Sequence, residues 1–179
     1  MNKTSNRWSV PVAVEDIPDT GLHMEIEASA MARAELAELA GLRDLPRFAA
    51  VFDLTRKGAG VHVRGQVTAQ VGQTCVVTLE PIENPVEEAV DLEFAPASGP
   101  EPKAKAAHKR AAGDDEGPEP LVGGIVDLGA LAAEFLILGI DPYPRKAGAE
   151  FAPPSQDDAG EHPFAALESL KKTLGGGQK

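Results

Sequence analysis

The stretch from Val61 to Phe94 constrains the fold more than any other part of this sequence, because its residues alternate in polarity. In VHVRGQVTAQV, which begins at Val61, apolar or small residues occupy one parity and polar residues occupy the other. VEEAVDLEF, which ends at Phe94, repeats the alternation with Glu88 as its exception. A two-residue period is typical of strands with one buried and one solvated face. The pattern therefore predicts an antiparallel sheet with one wet face.

Three further strands are predicted before this stretch. They are Trp8–Val14, Leu22–Ala28 and Leu45–Leu54. Pro11 lies inside the first of them and places it at a sheet edge or a bulge, because proline cannot donate to a ladder. The third strand alternates like the two long ones, so it predicts a hairpin partner for the strand that begins at Val61.

The register of that hairpin follows if residues 55–60 form its loop and Leu54 faces Val61. Every inward residue then meets an inward residue. The pairs predicted on this basis are Phe52 with Val63, Ala50 with Gly65, and Phe48 with Val67.

Two helices are predicted from their caps. Ser29 can cap a short helix that ends at Gly41, and Asp127 can cap LGALAAEFLILG, whose only charge is Glu134. A helix that is apolar nearly all round belongs inside the core. We therefore expect an α+β fold in which a twisted antiparallel sheet of five or six strands, curled toward a partial barrel, is closed by a buried C-terminal helix.

Composition divides the chain into four segments. Residues 1–94 hold the sheet and the short helix, and residues 121–146 add the core helix to the same domain. Residues 95–120 lack aromatic residues and are dense in proline, glycine, alanine and charge, which predicts a disordered linker. Residues 147–179 are predicted to be a flexible tail, in which HPFAALESLKKTL forms a short amphipathic helix.

Charge and cysteine content limit the partners and the compartment. The formal net charge of −11 argues against sequence-blind binding of nucleic acid, and it suits a basic protein partner or nucleic acid held by a local basic patch. The single cysteine excludes an internal disulfide and fits a reducing compartment. The longest apolar stretch, Leu128 to Ile140, is too short to span a bilayer. We therefore expect a cytoplasmic monomer with no membrane partner.

Motifs of enzymes are missing from the sequence. It has no glycine-rich phosphate loop, no paired-histidine helix motif and no Cys-x-x-Cys pair. Cys75 stands beside two valines, which favours a small buried residue over a nucleophile or a zinc ligand. We expect no catalytic residue, no metal, no cofactor and no small-molecule substrate.

Two charged surfaces remain as candidate sites. In the predicted register, basic side chains project from the outer face of the hairpin or crown its turn, where they can contact phosphates. These RNA-contact candidates are Arg47, Arg56, Lys57 and Arg64. The acidic strand offers a docking surface for a basic protein, with Glu87, Asp91 and Glu93 as the candidates. Ordinary surface charge that keeps a sheet soluble is the alternative for both sets.

The order of these blocks resembles the YceD family. The likeness runs through GxVxAxVxQxCxVxLEP (Gly65 to Pro81), the acidic strand, the charged gap and VDLGALAAEFLILGIDPYPRKAGAEF. Many relatives carry a Cys-x-x-Cys pair where this chain has Cys75 and Thr78, so the resemblance transfers no metal or redox role.

The resemblance implies a cytoplasmic, bacterial, non-enzymatic factor that supports accumulation of large-subunit (23S) ribosomal RNA. Two modes of action stay open. In the first, the protein binds ribosomal RNA or its precursor; in the second, it is an adaptor or chaperone for a basic ribosomal protein.

Overall fold

The computed structural model of this chain describes residues 8–96 and 117–151, and the statements below concern those residues. By its contacts the chain divides into a unit of residues 1–147 and a unit of residues 148–179. The described elements are β1 (Pro11–Ala13), a 3-10 turn (Val14–Asp16), β2 (Leu22–Glu27), α1 (Ala30–Ala40), β3 (Asp44–Lys57), β4 (Gly60–Thr74), β5 (Pro81–Pro96), β6 (Glu119–Leu121), β7 (Ile125–Asp127) and α2 (Leu128–Gly139).

The main sheet has five strands in the order β2-β3-β4-β5-β6, and β1 pairs with β7 in a separate two-stranded sheet. The pairs from β2 to β5 are antiparallel, as predicted, whereas β6 runs parallel to the end of β5. A parallel neighbour needs a long connection, which the residues between Pro96 and Glu119 provide. The α+β class is therefore confirmed, but the sheet is mixed and is not closed into a barrel.

The β3–β4 hairpin has the predicted parity and a different register. Lys57 pairs with Gly60 around a two-residue turn, in which Gly58 has a φ of +62°. This tight turn moves every pair by two residues from the prediction, so that Phe52 faces Gly65 instead of Val63. A Cβ atom at residue 65 would lie 2.1 Å from the carbonyl oxygen of Val51 and 2.6 Å from Cδ1 of Phe52. Glycine at this position is what lets the Phe52 ring fill the space between the strands.

Both helices begin at the predicted caps. The Ser29 hydroxyl accepts a hydrogen bond from the amide of Ala32 (3.2 Å), and α1 ends at Gly41, whose φ is +66°. The Asp127 carboxylate accepts hydrogen bonds from the amides of Gly129 and Ala130, both at 3.1 Å, and thereby starts α2. A side-chain acceptor at each cap satisfies amides that have no partner within the helix.

The core lies between the inner face of the main sheet and α2. Phe48 and Phe52 are fully buried there, and the Trp8 ring meets the Phe48 ring edge to face with centroids 4.8 Å apart. The predicted core helix is confirmed for its first two turns, since its buried residues run from Leu128 to Leu136. Leu138 is 76% exposed, because it lies on the outward side of the last turn of α2, whose Gly139 packs closely against Val86 of β5.

Two ends of the predicted linker belong to the sheet. β5 continues to Pro96 and β6 begins at Glu119, both within the range 95–120 that the composition marks as linker. Residues 97–116, and the predicted tail helix after residue 151, lie outside the described residues. The described helices are all too short or too polar to cross a membrane.

Candidate functional site on the outer sheet face

The outer face of the sheet, opposite the core, brings most of the candidate charges together. Register pairs align Asp53 of β3 with Arg64 of β4, and Arg64 with Asp91 of β5. Two residues closer to the β3–β4 turn, His62 lies opposite Glu93. The basic candidate Arg64 and the acidic candidates Asp91 and Glu93 are therefore neighbours on a single surface.

Ion pairs join the two sets of candidates. The Arg64 Nε atom lies 3.1 Å from the Asp91 carboxylate, and the Lys57 ammonium forms an ion pair with the Glu93 carboxylate. His62 Nε2 lies 2.5 Å from the same Asp91 side chain. The hydrogen bond from His62 and the charge of Arg64 hold the pKa of Asp91 below its ordinary value. Likewise, the hydrogen bond from Lys57 lowers the pKa of Glu93.

The other two basic candidates lie apart from this cluster. Arg47 pairs with Gln70, six residues along β4 from Arg64, which is roughly 20 Å at the rise of a strand. Arg56 pairs with Val61, whose side chain is buried, so Arg56 has the parity of the core side. It lines a cleft of about 350 Å³ beside Glu15 and Gly124. Arg56 and Lys57 both lie beside the hairpin turn, as predicted, but on opposite faces of the sheet, and Arg47 lies toward the other end of β3.

Acidic residues from β2 and β3 extend the outer face in the opposite direction. Glu25 and Glu27 of β2 are exposed, and Asp53 of β3 is hydrogen-bonded to His23 Nδ1 at 2.7 Å. The hydrogen bond that His23 donates to the Asp53 carboxylate raises the pKa of His23. This extension was not among the predicted site residues, although the alternation of LHMEIEA already placed both glutamates on a polar face.

Taken together, the outer face of β2 to β5 is acidic. Its carboxylates include Glu25, Glu27, Asp53, Glu83, Glu87, Asp91 and Glu93, and its arginines and lysines among the described residues are Arg47, Lys57 and Arg64. Two of these three cations are neutralised by carboxylates of the same face. Glu87 is exposed and has no ion-pair partner in the described part of the chain. The unpaired charge that this face presents is therefore mainly negative.

Cys75 is fully buried, as predicted, in a junction between two loops. Its sulfur accepts hydrogen bonds from the amides of Lys146 (3.3 Å) and Thr78 (3.4 Å), and the Lys146 ammonium reaches Glu80 at 2.8 Å. The Lys146 and Thr78 donors lower the pKa of the thiol to about 6. Nowhere in residues 8–96 and 117–151 do three potential metal-ligating side chains cluster. The junction therefore connects the β4–β5 turn to the segment that follows α2.

One comparison with known proteins gives a match. A family model described as large ribosomal RNA subunit accumulation protein YceD matches residues 63–171, which include most of β4 and all of β5 and α2. The search of curated proteins and the search of solved structures each return no match for this chain.

Proposed function

The chain belongs to the YceD family of large ribosomal RNA subunit accumulation proteins, and from this membership we propose that it acts as a non-enzymatic factor in assembling the large ribosomal subunit. In this role the protein needs no cofactor and no small-molecule substrate. It supports accumulation of the 23S ribosomal RNA in the cytoplasm by binding a component of the nascent subunit.

The component we propose is a basic ribosomal protein, docked on the outer face of the sheet. The observation that carries this choice is the pairing of Lys57 with Glu93 and of Arg64 with Asp91. These pairs remove two of the four cations proposed for RNA contact and leave Glu87, Glu25 and Glu27 to set the charge of the surface. Complementary charge across an interface steers association and selects the partner.

Direct contact with ribosomal RNA is the second candidate, and Arg47 and Arg56 favour it. Both side chains are exposed, and neither forms an ion pair with another described residue. Each can therefore offer its full charge to a phosphate. Because they lie at different places on the domain, they would bind RNA as two separate contacts.

Charge reversal separates the two candidates. The acidic-face variant is Glu87→Lys, Asp91→Lys and Glu93→Lys, and the free-arginine variant is Arg47→Glu and Arg56→Glu. As a control for net charge, Glu15→Lys, Glu38→Lys and Glu134→Lys change exposed acids outside the outer face. Each variant is assayed in cells for 23S RNA level and in lysates for capture of ribosomal proteins before and after nuclease treatment.

The protein-docking proposal expects nuclease-resistant capture that the acidic-face variant loses and the control variant keeps. The 23S RNA level should fall with it. Capture that disappears on nuclease treatment, or that only the free-arginine variant loses, would overturn protein docking and support RNA contact. In that case, the slope of log K against log salt for purified RNA should fall by about one for each lost phosphate contact.

A further inference from the structure

The outward edge of β5 is an unpaired strand edge over most of its length. β5 pairs with β4 from Pro81 to Phe94, whereas β6 covers its other side only from Phe94 to Pro96. On that other side, the backbone from Pro81 to the N–H of Glu93 has no hydrogen-bond partner in the described part of the chain. An edge of this kind is a template for pairing with a further strand.

The phase of the ladder identifies which residues face this edge. The amide of Cys75 donates to the carbonyl of Glu80 (2.9 Å), one step beyond the Thr74–Pro81 pair. Bonded and non-bonded pairs alternate along an antiparallel ladder, so even-numbered residues of β5 direct their backbone groups to β4. The odd-numbered residues direct theirs to the free edge.

Two observations agree with this phase. The prolines of β5 before its paired end, Pro81 and Pro85, are odd-numbered, and proline is tolerated in a strand where its missing N–H is not needed by the ladder. At the covered end, Pro120 of β6 lies opposite Ala95 and has no N–H, so the backbone bonds of this pair are those of the odd-numbered Ala95. The free groups are therefore the donors and acceptors of Glu87, Ala89 and Asp91 and the N–H of Glu93.

The same residues carry the acidic side chains of the outer face. A strand paired to this edge would place every second side chain on the outer face, beside Glu87, Asp91 and Glu93. Its remaining side chains would lie on the inner face, beside Val90, which is buried, and beside Glu88 and Leu92, which are half-buried. The surface thus selects an extended segment in which basic residues alternate with apolar ones.

We propose that β5 takes up such a basic, alternating segment of a separate protein as an additional strand of the sheet, between Glu87 and Glu93. Backbone hydrogen bonds supply the affinity, and the alternating side chains supply the specificity. This inference rests on the proposed docking of a basic ribosomal protein and adds the form in which that partner binds.

The test uses the full chain and a capped octapeptide in which lysine alternates with valine. Ala89→Pro removes one edge donor without touching the ladder to β4, and Ala89→Ser is the matched control that keeps the donor. We expect Ala89→Pro to weaken peptide binding by about tenfold or more, and Ala89→Ser to stay within about twofold of the natural chain. A peptide of the same composition with its lysines grouped together should bind weakly to all three.

Amide hydrogen exchange gives an independent measurement. In the free protein, the amides of Glu87, Ala89, Asp91 and Glu93 should exchange fast, and the even-numbered amides between them should exchange slowly. The octapeptide should slow exchange at the four odd positions. If Ala89→Pro fails to fold, the natural chain is tested with an octapeptide N-methylated at alternate residues, which should lose binding.

Three results would overturn the proposal. Equal binding of both variants without protection of the odd amides would show attraction by charge alone. Odd amides that are already protected in the free protein would show that the chain itself, or a second copy, occupies the edge. Equal binding of the grouped peptide would show that the edge does not distinguish alternating from grouped lysine residues. None of these results changes the outcome expected for the acidic-face variant in the capture experiment. Failure of strand addition is therefore distinguishable from failure of the docking proposal.

Discussion

Arg64 on β4 and Asp91 on β5 lie opposite each other, and the Arg64 Nε atom approaches the Asp91 carboxylate to 3.1 Å. The pair joins a residue predicted to bind RNA to a residue predicted to bind protein. Each of them therefore reduces the charge that the other presents to a partner. Removing the two charges one at a time shows which of them contributes to binding of the partner.

The two neutral substitutions should have opposite effects. Arg64→Gln leaves Asp91 paired with His62 alone and makes the face more acidic, so it should strengthen binding of a basic ribosomal protein. Asp91→Asn should weaken the same binding. Affinities measured for both variants at low salt test this prediction, and raising the salt should reduce the difference. Weaker binding by Arg64→Gln would instead indicate that the arginine contacts the partner.

The thiol of Cys75 should titrate near neutral pH. The chain contains no other cysteine that would obscure the measurement. Its pKa is lowered from 9.0 to about 6 by the amides of Lys146 and Thr78. Thiolate absorbance of the native protein should therefore rise around pH 6, whereas the denatured chain should titrate near its ordinary value. A native midpoint above pH 8 would show that burial outweighs these donors.

The same shift predicts a pH dependence of stability. Between about pH 6 and pH 9 the unfolded chain binds more protons at Cys75 than the folded protein does, so this group makes unfolding harder as the pH rises. Its contribution is lost as the pH falls through the folded pKa. Cys75→Ser should lower the melting temperature modestly and flatten its rise over this range. We expect ribosome-related function to survive Cys75→Ser or Cys75→Ala, because the residue is structural.

Gly65 should not tolerate a side chain. A methyl group there would meet the Val51 carbonyl at 2.1 Å and the Phe52 ring at 2.6 Å. We expect Gly65→Ala to destabilise the fold by at least about 2 kcal/mol, because backbone and a buried ring must both move. Gly117→Ala is the control, since nothing lies within 4 Å of an added Cβ atom at that position. Similar urea midpoints for the two variants would contradict the observed register.

Of the two helix caps, Asp127 should contribute more to the stability of the fold than Ser29. Partial burial raises its pKa, but hydrogen bonds from Ser9 and from backbone amides outweigh burial and leave the pKa lowered. The carboxylate therefore stabilises the fold above its unfolded pKa near 3.8, and this contribution is lost as the pH falls through the lower folded value.

Asp127→Ala should cost about 2 kcal/mol at neutral pH, since α2 loses its cap and Val10 loses an acceptor. Chemical unfolding at pH 7 measures the loss. Ser29→Ala, which removes the cap of α1 alone, is the comparison and should cost about 1 kcal/mol. An Asp127→Ala variant as stable as Ser29→Ala would show that the contacts to Ser9 and Val10 contribute nothing.

Deleting residues 100–117 should leave the thermal transition nearly unchanged. β6 pairs with β5 over three residues only, from Phe94 to Pro96, so even a shortened connection that releases this parallel strand removes a small part of the sheet. Shortening a flexible loop changes its closure entropy only slightly. A large drop in melting temperature would show that the deleted residues contribute to the fold, against the prediction that they form a linker.

The strands and caps were predictable from the sequence because each depends on local pattern. The parity of Val61, Val63 and Val67 is a property of one strand, and Ser29 and Asp127 cap the helices that they precede. The hairpin register was not predictable in this way. A shift of two residues keeps every side chain on the same face, so alternation cannot distinguish Phe52 opposite Gly65 from Phe52 opposite Val63. Only the two-residue turn at Gly58 decides between them.

The site depends on relationships that no local pattern contains. The pairing of Arg64 with Asp91 follows from the register of β4 with β5, across a turn whose length the sequence did not fix. The contact from Lys146 to Cys75 joins residues 71 positions apart. β6 has three residues, too few for alternation to identify. The alternation of β2 is visible in the sequence. Its glutamates can be assigned to the outer face once the register of β2 with β3 is known.

The pairing of β1 with β7 has a consequence for how the protein is made. Pro11 meets Asp127, and the Asp127 carboxylate holds the segment at Ser9 and Val10 against the start of α2. During synthesis, β2 to β5 emerge before the strand that secures the N-terminal segment and before the helix that covers Phe48 and Phe52. Contacts so distant in sequence form late. A growing chain that stalls before residue 139 therefore exposes the inner face of its sheet, and translation of α2 converts an aggregation-prone intermediate into a protected domain.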